Sequence, residues 1–231
     1  MMVAENVENI RERIARACAG AKRPPEEVTL IAVSKTFGAE KIREAMQAGL
    51  TDFGENYAQE LREKHDLLGH SPPRWHFIGH LQSNKVRHIV PWIASIQSVD
   101  SARLAGEISR CAAVAGHVVA AMVEVNTSGE TSKYGVAPDR TLDLVREILT
   151  LPHIDLRGLM TIGPLDPDPE VARPAFRLLR ELRDECSRKG MPLSELSMGM
   201  TNDFEVAIEE GSTMIRIGTA LFGRRPAKAT A

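Results

Sequence analysis

Short apolar segments of strand length alternate with segments of helical periodicity along this chain, and no other feature restricts its possible folds as strongly. Eight apolar segments can be counted, and a helical pattern follows each except the last. Strict β–α alternation indicates parallel strands, since each helix returns the chain to the same edge of the sheet. The predicted strands are residues 28–34, 52–54, 75–78, 95–99, 118–126, 155–160, 195–198 and 214–217. The predicted helices between them are residues 40–48, 57–68, 84–90, 102–115, 139–149, 170–189 and 203–209.

An amphipathic helix precedes the first strand, because Val3, Val7, Ile10 and Ile14 recur at helical spacing. Eight β–α units favour a single α/β domain over residues 1–231, a (β/α)8 TIM barrel with this first helix as an extra cap. The length of 231 residues is close to the roughly 250 that such barrels need. A doubly wound open sheet is the alternative. The absence of a glycine-rich dinucleotide motif after the first strand favours the barrel.

The charge balance argues against two classes of partner. Lys and Arg number 29 and Asp and Glu 31, a formal net charge of −2, so no basic excess predicts nucleic-acid binding. No apolar run reaches the roughly 20 residues that span a bilayer, and the first residues lack the apolar core of a signal peptide. We therefore expect a cytoplasmic protein without membrane association. The cysteines Cys18, Cys111 and Cys186 lie far apart in helical patterns, which favours buried structural roles.

Polar residues and glycines follow the predicted strands, and active sites of barrels lie at these carboxyl ends. Lys35 follows the apolar run 30–33 and should emerge at the barrel mouth. Desolvation there would lower the pKa of its amine and suit it to Schiff-base chemistry with an aldehyde. A structural lysine paired with a carboxylate fits the position equally well.

The ends of the last two strands predict a phosphate site. A helix starting near Asn202 and the backbone at Gly218 offer N–H groups, and hydroxyl side chains lie beside them. Arg216 lies two residues before Gly218, and the alternation of side chains along a strand could point it into the same mouth. A lysine amine on one side of the mouth and a phosphate site on the other together predict a pocket for a phosphorylated aldehyde. The candidate phosphate-binding residues are Ser197, Thr201, Gly218 and Thr219.

Seven segments, in order along the chain, resemble the pyridoxal phosphate homeostasis proteins, which are similar to the N-terminal barrel of alanine racemase without its second domain. The segments are AVSKT (32–36), FGENY (53–57), FIGHLQSNK (77–85), VNTSGE (125–130), GLMTIG (158–163), LSMGMTNDFE (196–205) and GSTMIRIGT (211–219).

The resemblance implies the fold of type III pyridoxal phosphate (PLP) proteins and a residue-by-residue cofactor site. Lys35 would form the Schiff base with pyridoxal 5′-phosphate, Asn56 would lie near the ring, and Arg216 would face the pyridine nitrogen. The four candidate phosphate-binding residues would hold the phosphate. Position 201 is usually Ser in this family and is Thr here, which keeps the hydroxyl group.

The resemblance also implies a carrier more than an enzyme. An arginine beside the ring nitrogen disfavours its protonation, which weakens the cofactor as an electron sink. The racemase also uses a tyrosine from its second domain, and neither Tyr57 nor Tyr134 lies in a matching segment. We expect a monomer that buffers PLP or supplies it to apo PLP-dependent enzymes, with no catalytic residues of its own. An amino-acid racemase and a phosphate-ester enzyme on the same barrel are the alternatives.

The remaining candidate features favour ordinary structural roles or stay open. His76 and His80 lie four apart, but no further ligand completes a zinc set, so core or rim positions are expected and no metal. Ser83 suits a helix N-cap, although residues 82–85 could instead contact ligand. The polar loop 128–133 could cover the cofactor or bind a partner. Arg224 and Arg225 are expected in a solvated tail.

Overall fold

Eight parallel strands close into a barrel in sequence order, and the last strand pairs with the first. The computed structural model describes residues 3–69 and 72–223, so the predicted tail at Arg224 and Arg225 and the other ends of the expected 1–231 domain lie outside it. The closed order confirms the predicted barrel and excludes the open doubly wound sheet. The strands are β1 (Thr29–Val33), β2 (Asp52–Glu55), β3 (Arg74–Phe77), β4 (Ser95–Val99), β5 (Val119–Glu124), β6 (Ile154–Met160), β7 (Glu195–Ser197) and β8 (Met214–Ile217).

The helices follow the predicted rhythm with two corrections. The segment predicted as helix 84–90 is instead a 3₁₀ turn, Ser83–His88. A short helix also follows the last strand, where none was predicted. The helices are α1 (Val3–Gly20), α2 (Ala39–Gln47), α3 (Ala58–Leu68), α4 (Ala102–Ala115), α5 (Thr141–Ile148), α6 (Arg173–Arg188), α7 (Phe204–Glu209) and α8 (Thr219–Phe222). Further 3₁₀ turns are Pro25–Glu27, Pro138–Arg140 and Pro169–Ala172.

The predicted N-cap at Ser83 is wrong. Ser83 is the first residue of its 3₁₀ turn, and Gln82 occupies the cap position without a side-chain hydrogen bond. The Ser83 hydroxyl instead accepts a hydrogen bond from Arg103 Nη1 at 3.1 Å. Ser83 thus ties the turn to α4.

Helix α1 covers the outside of the barrel near the place where the first strand pairs with the last. It packs against α2, α7 and α8 and buries its apolar stripe, as the helical spacing predicted. Asn6 Nδ2 donates to the Leu221 carbonyl at 2.8 Å, and Arg13 Nε bonds Glu205 Oε1 at 2.7 Å. These two hydrogen bonds join α1, which precedes the first strand, to α8 and α7 near the end of the barrel.

The three cysteines are free and buried, as predicted. Burial raises the pKa of the Cys18 and Cys186 thiols, which keeps them protonated and unreactive. Within residues 3–69 and 72–223, none of the helices combines the length and apolar character that crossing a membrane requires.

Gly158 in β6 provides a test of the strand packing. A Cβ built on it would lie 1.9 Å from the Glu195 carbonyl oxygen, so Gly158→Ala forces β6 and β7 apart. We expect a loss of about 1–3 kcal/mol in the free energy of unfolding, as for other overpacked interiors. Urea denaturation measures it.

Gly106→Ala in α4 is the matched control, since a Cβ there meets nothing within 4 Å. It should raise stability by up to about 1 kcal/mol through helix propensity. Equal effects of the two substitutions would contradict the proposed packing.

Candidate functional site

The carboxyl ends of the strands open into a mouth that contains two adjoining cavities, each of about 570 Å³. Asn56, Ile78 and Ile162 line both and form the wall between them. We name them the Lys35 cavity and the Glu124 cavity after the ionisable residue that distinguishes each. Both volumes lie within the range of roughly 300–1,000 Å³ typical of small-molecule sites.

Six of the seven predicted site residues line the Lys35 cavity, and one does not. Ser197 is fully buried behind the cavity wall, where its hydroxyl donates to Gln97 Oε1 at 2.7 Å. It also accepts from Arg216 Nη1 at 2.6 Å. Ser197 therefore contacts Arg216 and does not itself line the cavity. The residues that line the cavity are Lys35, Asn56, Thr201, Arg216, Gly218 and Thr219.

Lys35 lies in a turn directly after β1, and the residues on either side of it are fixed from below. The buried Lys64 Nζ donates to the Ser34 carbonyl at 2.8 Å and to Glu55 Oε1 at 2.6 Å. The Ser34 hydroxyl donates to the same Glu55 oxygen at 2.7 Å. These bonds hold the backbone from which the Lys35 side chain extends.

The turn also contains an unusual backbone conformation. Thr36 has φ of +72°, in the left-handed region that side chains with a branched Cβ rarely adopt. Its N–H donates to Glu60 Oε1 at 2.6 Å, and the same oxygen accepts from Lys64 at 2.7 Å. Lys64 and its two carboxylates thus hold both sides of Lys35, and a strained turn of this kind is typical of functional sites.

Arg216 faces the Lys35 cavity from the opposite side and is buried. Its Nη2 donates to the Thr161 carbonyl at 2.7 Å, while Nη1 bonds Ser197. Burial lowers the pKa of Arg216 to about 10, against the opposing influence of Glu124 and Asp203. The guanidinium is therefore still charged at neutral pH and held in one orientation.

A chain of hydrogen bonds continues from Ser197 through the barrel interior. Gln97 on β4 contacts the Ser95 hydroxyl at 3.4 Å, and Ser95 lies 2.7 Å from His76 Nδ1. His76 Nε2 then bonds Asp52 Oδ1 at 2.8 Å. Burial alone would raise the pKa of Asp52, but hydrogen bonds from His76 and Thr51 outweigh burial and lower it. His76 thus has the core role that was predicted.

His80 lies at the rim of the mouth, as predicted, and stacks on Tyr134 with ring centroids 4.0 Å apart. In the described part of the chain, no group of three or more His, Cys, Asp or Glu side chains is arranged to hold a metal ion.

Several polar groups on the Lys35 cavity are left without protein partners. The buried Asn56 Oδ1 accepts no hydrogen bond, and the hydroxyls of Thr201 and Thr219 have no partner among the described residues. Gly79 fixes Asn56, since a Cβ at Gly79 would lie 2.3 Å from the Asn56 carbonyl oxygen. The cavity therefore offers a cation, an amide and two hydroxyls to a polar ligand.

The loop 128–133 is folded against the mouth. Asn126 Nδ2 donates to the carbonyls of Glu130 and Lys133 at 2.8 and 3.3 Å, and Lys133 Nζ donates to the Gly163 carbonyl at 3.0 Å. These bonds fix the loop that directly precedes Tyr134, and Tyr134 lines the Glu124 cavity. The loop therefore shapes the second cavity.

Sequence reasoning missed the residues that support the site. Lys64 lies in a helical segment with the polar pattern of a surface helix, and Gln97 and Glu124 lie within predicted strands. The sequence around these residues therefore gives no sign that they support the mouth. Thr161 lies in the segment GLMTIG (158–163), but its backbone carbonyl, which binds Arg216, leaves no signal in the sequence. Contacts between strands far apart in sequence create all of these roles.

The comparisons with known proteins identify the family of this chain. The family model described as alanine racemase, N-terminal domain, matches residues 5–226. A protein of Aquifex aeolicus named pyridoxal phosphate homeostasis protein is 45% identical over 97% of this chain and 99% of its own length. A human protein of the same name is 41% identical over 94% of this chain and 84% of its own.

Solved structures show the same likeness. PipY of Synechococcus elongatus, determined with PLP bound, superposes with a TM-score of 0.84 at 36% identity, covering 96% of this chain and all of PipY. An alanine racemase of Clostridium difficile has a TM-score of 0.74 at 16% identity, with 97% of this chain covering 58% of that enzyme. The latter likeness concerns the fold alone.

Replacing Lys64 tests the network beneath Lys35. Lys64→Met leaves the fully buried Glu55 without its cation, and we expect a loss of about 3–5 kcal/mol in the free energy of unfolding. Burial already raises the pKa of Glu55, and the pKa should rise further without Lys64. Because a raised folded-state pKa gives stability that is lost as pH rises above the unfolded value of about 4.3, the penalty should be larger at pH 8 than at pH 5.

Lys41→Met is the control, since the Lys41–Glu44 pair is solvent-exposed and should contribute about 0.5 kcal/mol or less. Urea denaturation at the two pH values measures both variants. A Lys64→Met penalty that does not change with pH would contradict the coupling to Glu55.

Proposed function

The chain belongs to the pyridoxal phosphate homeostasis protein family, within the alanine racemase N-terminal domain class, and on that premise we propose that it binds PLP in the Lys35 cavity and holds it exchangeably. One observation supports this best: a lysine, a buried arginine and two threonines beside Gly218 line the same cavity. When bound, the cofactor supplies an aldehyde with which a lysine amine can condense.

Lys35 is the residue proposed to hold the aldehyde, as a Schiff base. It is half-buried on the cavity wall, and its turn is fixed by Glu55, Lys64 and Glu60. A fixed backbone limits the positions that the amine samples, which favours attachment at one place.

The phosphate is proposed to bind at the ends of β7 and β8. Thr201 and Thr219 offer their partnerless hydroxyls. Gly218 lets the backbone approach closely, and the amides that open α8 have no acceptor within that helix. Ser197, which was expected to hold the phosphate, is proposed instead to act through Arg216.

Arg216 is proposed to face the pyridine nitrogen. Its two hydrogen bonds fix the guanidinium, and its charge disfavours protonation of a ring nitrogen next to it. No tyrosine in the described residues lines the Lys35 cavity, since Tyr57 and Tyr134 line the neighbouring one. A site that binds the cofactor but lacks a tyrosine acid–base group supports storage and delivery over racemisation.

Attachment of the cofactor is tested by trapping. After incubation with PLP and reduction with borohydride, the wild-type chain should carry a pyridoxyl group on the peptide that contains Lys35, detected by mass spectrometry. Lys35→Ala should lose both this adduct and the visible absorbance of the bound cofactor. Lys41→Ala should keep both, because Lys41 lies in α2 outside the cavity. An adduct that persists in Lys35→Ala would overturn the assignment.

The carrier role is tested separately from attachment. The loaded protein should transfer PLP to an apo PLP-dependent enzyme, and Lys35→Ala treated in the same way should not. Chiral amino-acid assays should show turnover far below about 1 per second, an ordinary enzymatic rate. Racemisation at that rate or above would establish the racemase alternative.

A further inference from the structure

The Glu124 cavity has the walls of a site for a partly apolar ligand. Phe77, Ile78, Leu81 and Ile162 supply hydrocarbon surface, and the stacked ring of Tyr134 closes one side. None of the groups that would hold PLP phosphate lines it. The cavity is therefore a separate place in the mouth, divided from the Lys35 cavity by a shared wall.

Glu124, the last residue of β5, lines this cavity and is only 5% exposed. Among the described residues, its carboxyl group has no hydrogen-bond or ion-pair partner. Arg216 is the nearby cation, but its donors are directed to Thr161 and Ser197. Burying a carboxyl group that has no partner costs free energy. Glu124 is therefore a candidate for direct contact with a ligand.

The electrostatics agree with this reading. Burial raises the pKa of Glu124 to about 7, with Arg216 lowering it and Asp100 raising it. His80, which lies 3.6 Å from Asp100, also lines this cavity. An ionised Glu124 would repel an anion in this cavity, whereas a cation would be attracted and would favour the ionised form of Glu124.

Lys85 adds a charge of the opposite sign at the exposed edge of the same cavity. The cavity thus offers a buried acid, an exposed amine and apolar walls, which are the groups that a zwitterion with a hydrocarbon side chain would contact. We propose that the Glu124 cavity binds an apolar α-amino acid, with its ammonium group on Glu124 and its carboxylate towards Lys85. This binding requires neither Lys35 nor the cofactor.

Isothermal titration calorimetry of the full chain without added PLP tests the proposal with three matched probes. L-leucine has both charged groups, 4-methylpentanoate lacks the ammonium group, and 3-methylbutylamine lacks the carboxylate. L-leucine should bind, and 4-methylpentanoate should bind at least about tenfold more weakly, as expected for the loss of a charge-assisted hydrogen bond.

Variants assign the contacts. Glu124→Gln should weaken L-leucine at least about tenfold, while Glu147→Gln on the exposed face of α5 should change nothing. Lys85→Met should weaken L-leucine and leave 3-methylbutylamine unchanged. Circular dichroism checks that each variant is folded.

The outcomes separate this proposal from the proposed function. L-leucine binding that survives in Lys35→Ala supports an independent site, even if the trapping experiment fails. Binding that disappears in Lys35→Ala, equal binding of 4-methylpentanoate, or unchanged binding in Glu124→Gln would overturn the proposal. So would the absence of binding for both L-leucine and L-phenylalanine at millimolar concentration.

Discussion

The buried charge of Arg216 is the constraint around which the mouth of this barrel is organised. An arginine removed from water requires partners, and here a backbone carbonyl and a hydroxyl satisfy its donors while Glu124 and Asp203 act as counter-charges beyond hydrogen-bond distance. The two counter-charges lie on different cavities. Asp203 lines the Lys35 cavity together with Arg216, and Glu124 lines the other. Arg216 is therefore electrostatically linked to both halves of the mouth.

The position of Arg216 depends on residues well below the mouth. TIM-barrel interiors are generally filled by branched apolar side chains, but here Ser197 on β7 bonds Gln97 on β4 across the interior. The chain of contacts then continues through His76 to Asp52. Each side chain in this series hydrogen-bonds to the next, so the buried polar groups are paired with one another. The same bonds couple several strands through their side chains.

The sequence predicted the fold better than the site. The alternation of apolar and helical patterns was sufficient for all eight strands, because period and composition are local properties. The segment 84–90 was misread because helical spacing in a short segment does not distinguish an α-helix from a 3₁₀ turn. The contacts of Ser197 with Gln97 and Arg216 could not be predicted, because they depend on strand register. Lys64 was missed because its partners Glu55 and Ser34 are joined to it only by the fold.

The packing of α1 has a consequence for the order in which the protein can assemble. During synthesis α1 and β1 leave the ribosome long before their partners α7, α8 and β8. A nascent chain therefore exposes part of the apolar stripe of α1 and one unpaired edge of β1 until those partners have emerged. Such long-range closure slows folding and exposes the chain to aggregation, so this barrel is of a kind for which chaperone protection during translation matters.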